Sequence, residues 1–132
     1  MIHRLLAVSF LSIVLSLLLA GCSTSTTIHT IDAPIDSLPS ISVDQVGRDI
    51  ITAASRLGWK VTKNEPGMIE ANLTEKDQHH MEVSIPYNSE QFTIRYRDST
   101  NRNETDDLFH RHYNKQAVLL EREIQAQLLG VH

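Results

Sequence analysis

The sequence predicts an α+β domain: a four-stranded antiparallel meander with two helices packed on one face, in the order α-β-β-β-β-α. Three observations carry this. Apolar residues recur at helical spacing over 43–57 and again over 109–128, and between these stretches the period changes to two. The alternating stretches are short, follow one another directly and are separated by turn-forming residues, as antiparallel strands with one buried face require. A chain of 132 residues, 41% hydrophobic and 21% charged, has ordinary globular composition and room for one core.

The first helix begins at Ser42, followed three places later by Gln45 in a capping-box pattern, with Asp44 complementing the positive end of the dipole. Val43, Val46, Ile50, Ala53, Ala54 and Leu57 form its apolar stripe, and Gly58 is placed to stop it. Trp59 and Val61 then alternate with Lys60 and Thr62, and Pro66-Gly67 supplies a turn. Ile69, Ala71 and Leu73 alternate with Glu70 and Asn72; a polar hairpin loop is expected over 74–80. Met81, Val83 and Ile85 alternate with Glu82 and Ser84. After a turn at 88–91, Phe92, Ile94 and Tyr96 alternate with Thr93, Arg95 and Arg97. Pairing across that turn sets Tyr87 opposite Phe92, Ser84 opposite Arg95 and Glu82 opposite Arg97. A polar loop is expected over 98–104, with Thr105 as the N-cap of the second helix and Asp106 and Asp107 in its first turn. Phe109, Tyr113, Ala117, Leu120, Ile124 and Leu128 step by three or four along one face, and Gly130 closes the helix.

Residues 1–22 read MIHRLLAVSFLSIVLSLLLAGC: a short basic start at Arg4, an uncharged run from Leu5 to Ala20, then Leu19-Ala20-Gly21-Cys22. The run is marginal for a span across roughly 30 Å of hydrocarbon and has the build of a secretory signal. Its ending resembles the bacterial lipobox, in which small residues precede a cysteine that becomes the acylated first residue of the mature protein. The resemblance implies a lipoprotein signal peptide over 1–21, lipidation (diacylglyceryl and palmitate-type chains) of Cys22 and membrane attachment through that lipid. Ser23, in place of the aspartate that retains such proteins at the inner membrane in enterobacteria, implies the periplasmic face of the outer membrane. Residues 22–41, rich in Ser and Thr with Pro34 and Pro39, read as the lipidated cysteine and a tether, long enough to hold a domain of residues 42–130 clear of the headgroups. Ile28, Ile31, Ile35 and Leu38 within it leave open an extended stretch lying against that domain.

A net charge of −4 disfavours electrostatic binding of the domain to nucleic acid or to an anionic membrane surface. A single cysteine gives neither an intramolecular disulfide nor a cysteine-based zinc site. Of the seven histidines, His110 and His112 diverge by about 200° around a helix. His79 and His80 are adjacent in a loop, and a composite site would need His80 to meet His110. No Gly-x-Ser-x-Gly nucleophile motif occurs. The expectation is a protein without cofactor, metal or enzymatic activity. Lys60, Arg95 and Arg97, on the strand positions facing away from the helices, are the candidate contacts for an envelope protein or cell-wall partner.

The pattern Ile94-x-Tyr96-x-Asp98-Ser99, followed by His110-x-x-Tyr113-Asn114 at the start of the last helix, resembles small proteobacterial lipoproteins of no assigned function. It covers roughly residues 48–128, although Lys115-Gln116 stands where those proteins carry an aromatic. The resemblance draws attention to Ser99, Asn101, Tyr113 and Asn114, with Tyr113 or Asn114 expected to bond carbonyls of the polar loop near Ser99. Together these features point to a lipid-anchored periplasmic domain acting by binding or as a structural accessory. The alternative is a small-ligand or metal-binding domain using the 98–104 loop and nearby histidines.

Overall fold

A computed structural model describes residues 27–36, 40–101 and 105–130. The expected leader over 1–21, Cys22 and residues 102–104 of the expected polar loop lie outside the described residues. The chain runs β1 (Ile31–Pro34), α1 (Val43–Arg56), β2 (Lys60–Glu65), β3 (Met68–Glu75), β4 (His79–Pro86), β5 (Gln91–Asn101) and α2 (Asp106–Leu129). The α+β class and the antiparallel meander stand, but the sheet has five strands, in the order β1-β5-β4-β3-β2, and four is corrected to five.

The added strand comes from the Ser/Thr/Pro-rich segment. Ile31 pairs with Ile94, Asp32 with Thr93, Ala33 with Phe92 and Pro34 with Gln91. Ala33 and Ile31 turn inward onto the core, whereas Asp32 faces out and accepts a 2.8 Å hydrogen bond from the Thr93 hydroxyl. Pro34 is tolerated because it ends an edge strand, where a missing N–H disrupts little. The next amide, Ile35 N–H, donates to the Glu90 carbonyl at 2.7 Å. Four residues of this kind carry little strand signal alone; the open edge of β5 makes them a strand.

Local signals place α1 well. The Ser42 hydroxyl accepts from Gln45 N–H at 3.2 Å. At the other end Gly58 adopts φ 83°, and its N–H donates to Ser55 O while Trp59 N–H donates to Ala54 O. That doubly bonded terminus needs a left-handed residue, which glycine adopts without the Cβ clash. It also swings Trp59 into the core, 3% exposed. Helix α2 closes in the same left-handed manner at Gly130; Thr105 occupies its N-cap without a side-chain cap bond.

Both helices lie on one sheet face. Val46, Ile50, Ala53 and Ala54 of α1, the α2 stripe from Phe109 to Leu128, and Ile69, Ala71, Leu73, Met81, Val83, Ile85, Phe92 and Ile94 form a single cluster. Each fully buried large aliphatic in it contributes about 1.5–3 kcal/mol.

Two details of register differ from the alternation read in the sequence. The β3–β4 hairpin is tighter than the 74–80 loop expected, because pairing continues to Glu75 opposite His79, and Lys76 and Asp77 turn the chain at φ 53° and 54°. Strand β5 runs on through Asn101, so residues 98–101 are strand. It carries a bulge: Ser84 does oppose Arg95, and Tyr87 does oppose Phe92, but Glu82 opposes Asp98 rather than Arg97. An extra residue on one strand shifts every later side chain by one position, so Tyr96 and Ser99 come to share the inner face.

Candidate functional site

The sheet face that no described element covers is polar. Arg97, displaced by the bulge, reaches across β4 and donates from Nη1 to Glu70 Oε2 at 2.6 Å. The pair is partly exposed, so it contributes about 0.2–1 kcal/mol. Arg95 stands opposite Ser84, exposed, and its side chain makes no hydrogen bond or ion pair among the described residues. It borders a shallow cleft of about 180 Å³ formed with Gly67, Tyr87 and Gln91. Lys60 is exposed on the far edge strand opposite Asn72, with β3 and β4 between it and β5. The three basic residues thus share a face without forming one cluster, and Glu70, Glu82 and Asp98 lie among them.

The other candidates are placed differently from one another. Ser99 lies on the helix side, where its Oγ and the Tyr96 hydroxyl are 2.7 Å apart. The backbone of Asn101 pairs with His79. Tyr113 is fully buried, its ring edge-on to Tyr96 at 5.2 Å, and its hydroxyl has no partner among the described residues. The expected bond from Tyr113 to the polar loop is therefore not formed with the described loop residues, 98–101. Burial, with Tyr96 adding to it, drives the Tyr113 phenol well above its usual range.

A buried hydroxyl without a partner costs about 1–3 kcal/mol, so Tyr113→Phe is expected to stabilise the fold by about 1–2 kcal/mol in urea denaturation. The folded chain also holds the phenolic proton more tightly than the unfolded chain, which releases it near pH 10. Stability of the wild type should fall as pH rises beyond that point, and the Phe variant should lack this part of the fall. A destabilised Phe variant would mean that the hydroxyl is satisfied after all.

Asn114 departs most from expectation. Its side chain holds the upstream segment: Oδ1 accepts from His29 N–H at 3.0 Å, and Nδ2 donates to the Thr27 carbonyl at 2.7 Å. One amide thereby pairs an extended backbone as a neighbouring strand would. Further along α2, Gln125 Nε2 donates to the Pro34 carbonyl at 3.0 Å. Asn114→Ala is expected to cost about 1–2 kcal/mol and to speed hydrogen exchange at the His29 amide, with β3 and β4 unchanged. Unchanged exchange at His29 would sink the clasp.

A second polar cluster forms where the β3–β4 turn meets α2. Glu75 Oε1 accepts from Gln116 Nε2 at 3.1 Å, and Oε2 bonds His112 Nε2. The His79 ring lies 5.4 Å from that of His112. The histidines that meet are thus His79 and His112, because the tighter hairpin points residue 79 inward. His80 faces the other side, 2.9 Å from the Thr74 hydroxyl and 3.2 Å from Glu82. Lys76 and Lys115 complete a groove of about 530 Å³. Among the described residues, no group of three or more His, Cys, Asp or Glu side chains is arranged to hold a metal ion, and no helix is long and apolar enough to cross a membrane.

The clasp and the His79–His112 meeting were beyond sequence reasoning, since each joins residues far apart in the chain. The nearest signal was the run of isoleucines at 28, 31 and 35. No protein-family model matches this chain, and no curated protein matches it.

Proposed function

We propose that this chain is a lipid-anchored, non-enzymatic periplasmic domain of a bacterial envelope, held by an acylated Cys22 and acting as a binding or structural accessory through the bare face of its sheet. The sequence Leu19-Ala20-Gly21-Cys22 after an uncharged run supports the anchor, and Ser23 supports the outer membrane. One observation carries the binding role: among the described residues both helices pack on one face and leave the other rigid, polar and uncovered, and the Arg95 side chain makes no hydrogen bond or ion pair. A protein or cell-wall partner with exposed carboxylates fits that face.

The test is crosslinking of the full-length protein in its own membranes. Arg95→Glu combined with Arg97→Glu is expected to leave the fold in place and to abolish the partner's crosslink. The second substitution removes the pair with Glu70, so a loss of about 0.5–1 kcal/mol is expected, too small to unfold the domain. A crosslink that persists in the doubly reversed protein would make this face merely solvated. Cys22→Ser should abolish lipid labelling, and a wild-type mature protein with a free Cys22 thiol by mass spectrometry would end the anchor. The groove of about 530 Å³ beside His79 and His112 supports a second reading, the binding of a small polar ligand. In that reading His112→Ala, not Arg95→Glu, removes binding.

A further inference from the structure

We infer that the outer face of α2 lies on the phospholipid surface that holds the anchor, so that the bare sheet face points away from the membrane. This rests on the proposed acylation of Cys22. It begins with the tether, which is shorter than its composition implies. Asn114 fixes Thr27 and His29 on the flank of α2, and Cys22 lies only five residue steps before Thr27. Fully extended, these reach about 18 Å; as a flexible chain they average roughly 12 Å. The second distance exceeds the screening length of roughly 8 Å at physiological salt by only a few ångströms, so a modest bend of the connection brings charges on this flank within reach of the surface.

The face that the short tether brings near the bilayer has suitable chemistry. Leu108, Lys115, Arg122 and Leu129 recur every seven residues along α2, opposite its buried stripe, and Val118 and Leu119 fill the gaps between them. Leu108 is 52% exposed, Leu129 62%, and Val118 and Leu119 38% and 37%. Neither Lys115 nor Arg122 makes an ion pair or hydrogen bond among the described residues. The neighbouring acids, Glu121 and Glu123, lie about 100° to either side of Arg122, and Glu123 is turned to Arg56 at 3.3 Å.

A stripe of leucines and cations on a helix is what binds an interface rich in anionic headgroups. The chain as a whole carries −4, so an anionic surface repels most orientations of the domain and favours the one that presents this stripe. With α2 against the lipid, the sheet lies behind it, and Arg95 and Arg97 face outward on the far side.

The experiment uses the natively acylated protein reconstituted into vesicles, with a spin label on Leu119→Cys or, as a control on the opposite edge strand, on Thr62→Cys. In phosphatidylcholine vesicles containing a quarter phosphatidylglycerol, the Leu119→Cys label should shift from collision with a water-soluble nickel chelate to collision with oxygen dissolved in the lipid. The Thr62→Cys label should remain in water. Lys115→Gln and Arg122→Gln should each lower the ratio of docked to undocked protein about fivefold. A label at Leu119→Cys that stays in water with or without phosphatidylglycerol overturns the docking. So does protection seen only in native membranes, since the face then meets a protein. Flotation with pure phosphatidylcholine vesicles separates the two readings. A chain that fails to float has no anchor and loses the docking with it; a chain that floats with an aqueous Leu119→Cys label keeps the anchor and loses only the docking.

Discussion

Phe92→Ala is expected to destabilise the domain by about 3–5 kcal/mol, the largest single effect anticipated here. Phe92 is fully buried in the common core, opposite Ala33 on one side and Tyr87 on the other. Truncation removes the ring's transfer energy and leaves a cavity that Ala33 is too small to fill. Because β1 is a four-residue edge strand, the cavity should loosen it first. Hydrogen exchange should therefore accelerate at the Ile31 and Ala33 amides beyond the change in global stability. A variant that loses less than about 1 kcal/mol would show that β1 and its contacts do not belong to the folded core. Starting the chain at residue 42 applies the same logic without a point mutation. It strips Ile28, Ile31, Ala33 and Ile35 from the core and opens the β5 edge, so a lower melting temperature and concentration-dependent association are expected.

Ile124→Ala should cost about 2–5 kcal/mol, while Arg122→Ala, two positions away, should change stability by no more than about 0.5. Ile124 is completely buried where α2 meets the rest of the core, whereas Arg122 is exposed on the opposite face. The contrast separates the two faces of one helix by two different measurements. Ile124 registers in urea denaturation, and Arg122 registers in vesicle docking with the fold unchanged. If Arg122→Ala destabilised the protein as much as Ile124→Ala, α2 would be buried on both faces and its outer stripe would not be free to meet lipid.

Most of the fold was legible where the signal is local. The hydroxyl of Ser42, the left-handed Gly58 and Gly130, and the three- and four-residue steps from Phe109 to Leu128 act within one or two turns of chain. Propensity and capping chemistry therefore place them without knowledge of the rest. The alternation in Ile69–Leu73 and Met81–Ile85 works likewise, because a buried face demands period two. The candidate site was legible only in part. Alternation placed Arg95 correctly on the bare face, but the bulge beyond Tyr96 moved Arg97 to Glu70 and turned Ser99 to the helix side. A bulge is one extra residue whose position depends on how β4 and β5 pack, and the residue pattern of β5 alone does not mark it.

What the amino-acid sequence by itself determined is the α+β class, both helices and the direction of their buried stripes, each an effect of near neighbours. What only the tertiary structure decided is the fifth strand, the Asn114 clasp on Thr27 and His29, and the meeting of His79 with His112. Those contacts bridge separations of 57 to 63, 85 to 87 and 33 residues, and none is stable until the sheet and α2 have formed. An edge strand has no hydrogen-bond partner until β5 exists, and an exposed asparagine has no assigned partner until folding brings a backbone alongside it. How the segment from Thr27 to Pro34 lies on the domain follows from those late contacts rather than from its composition.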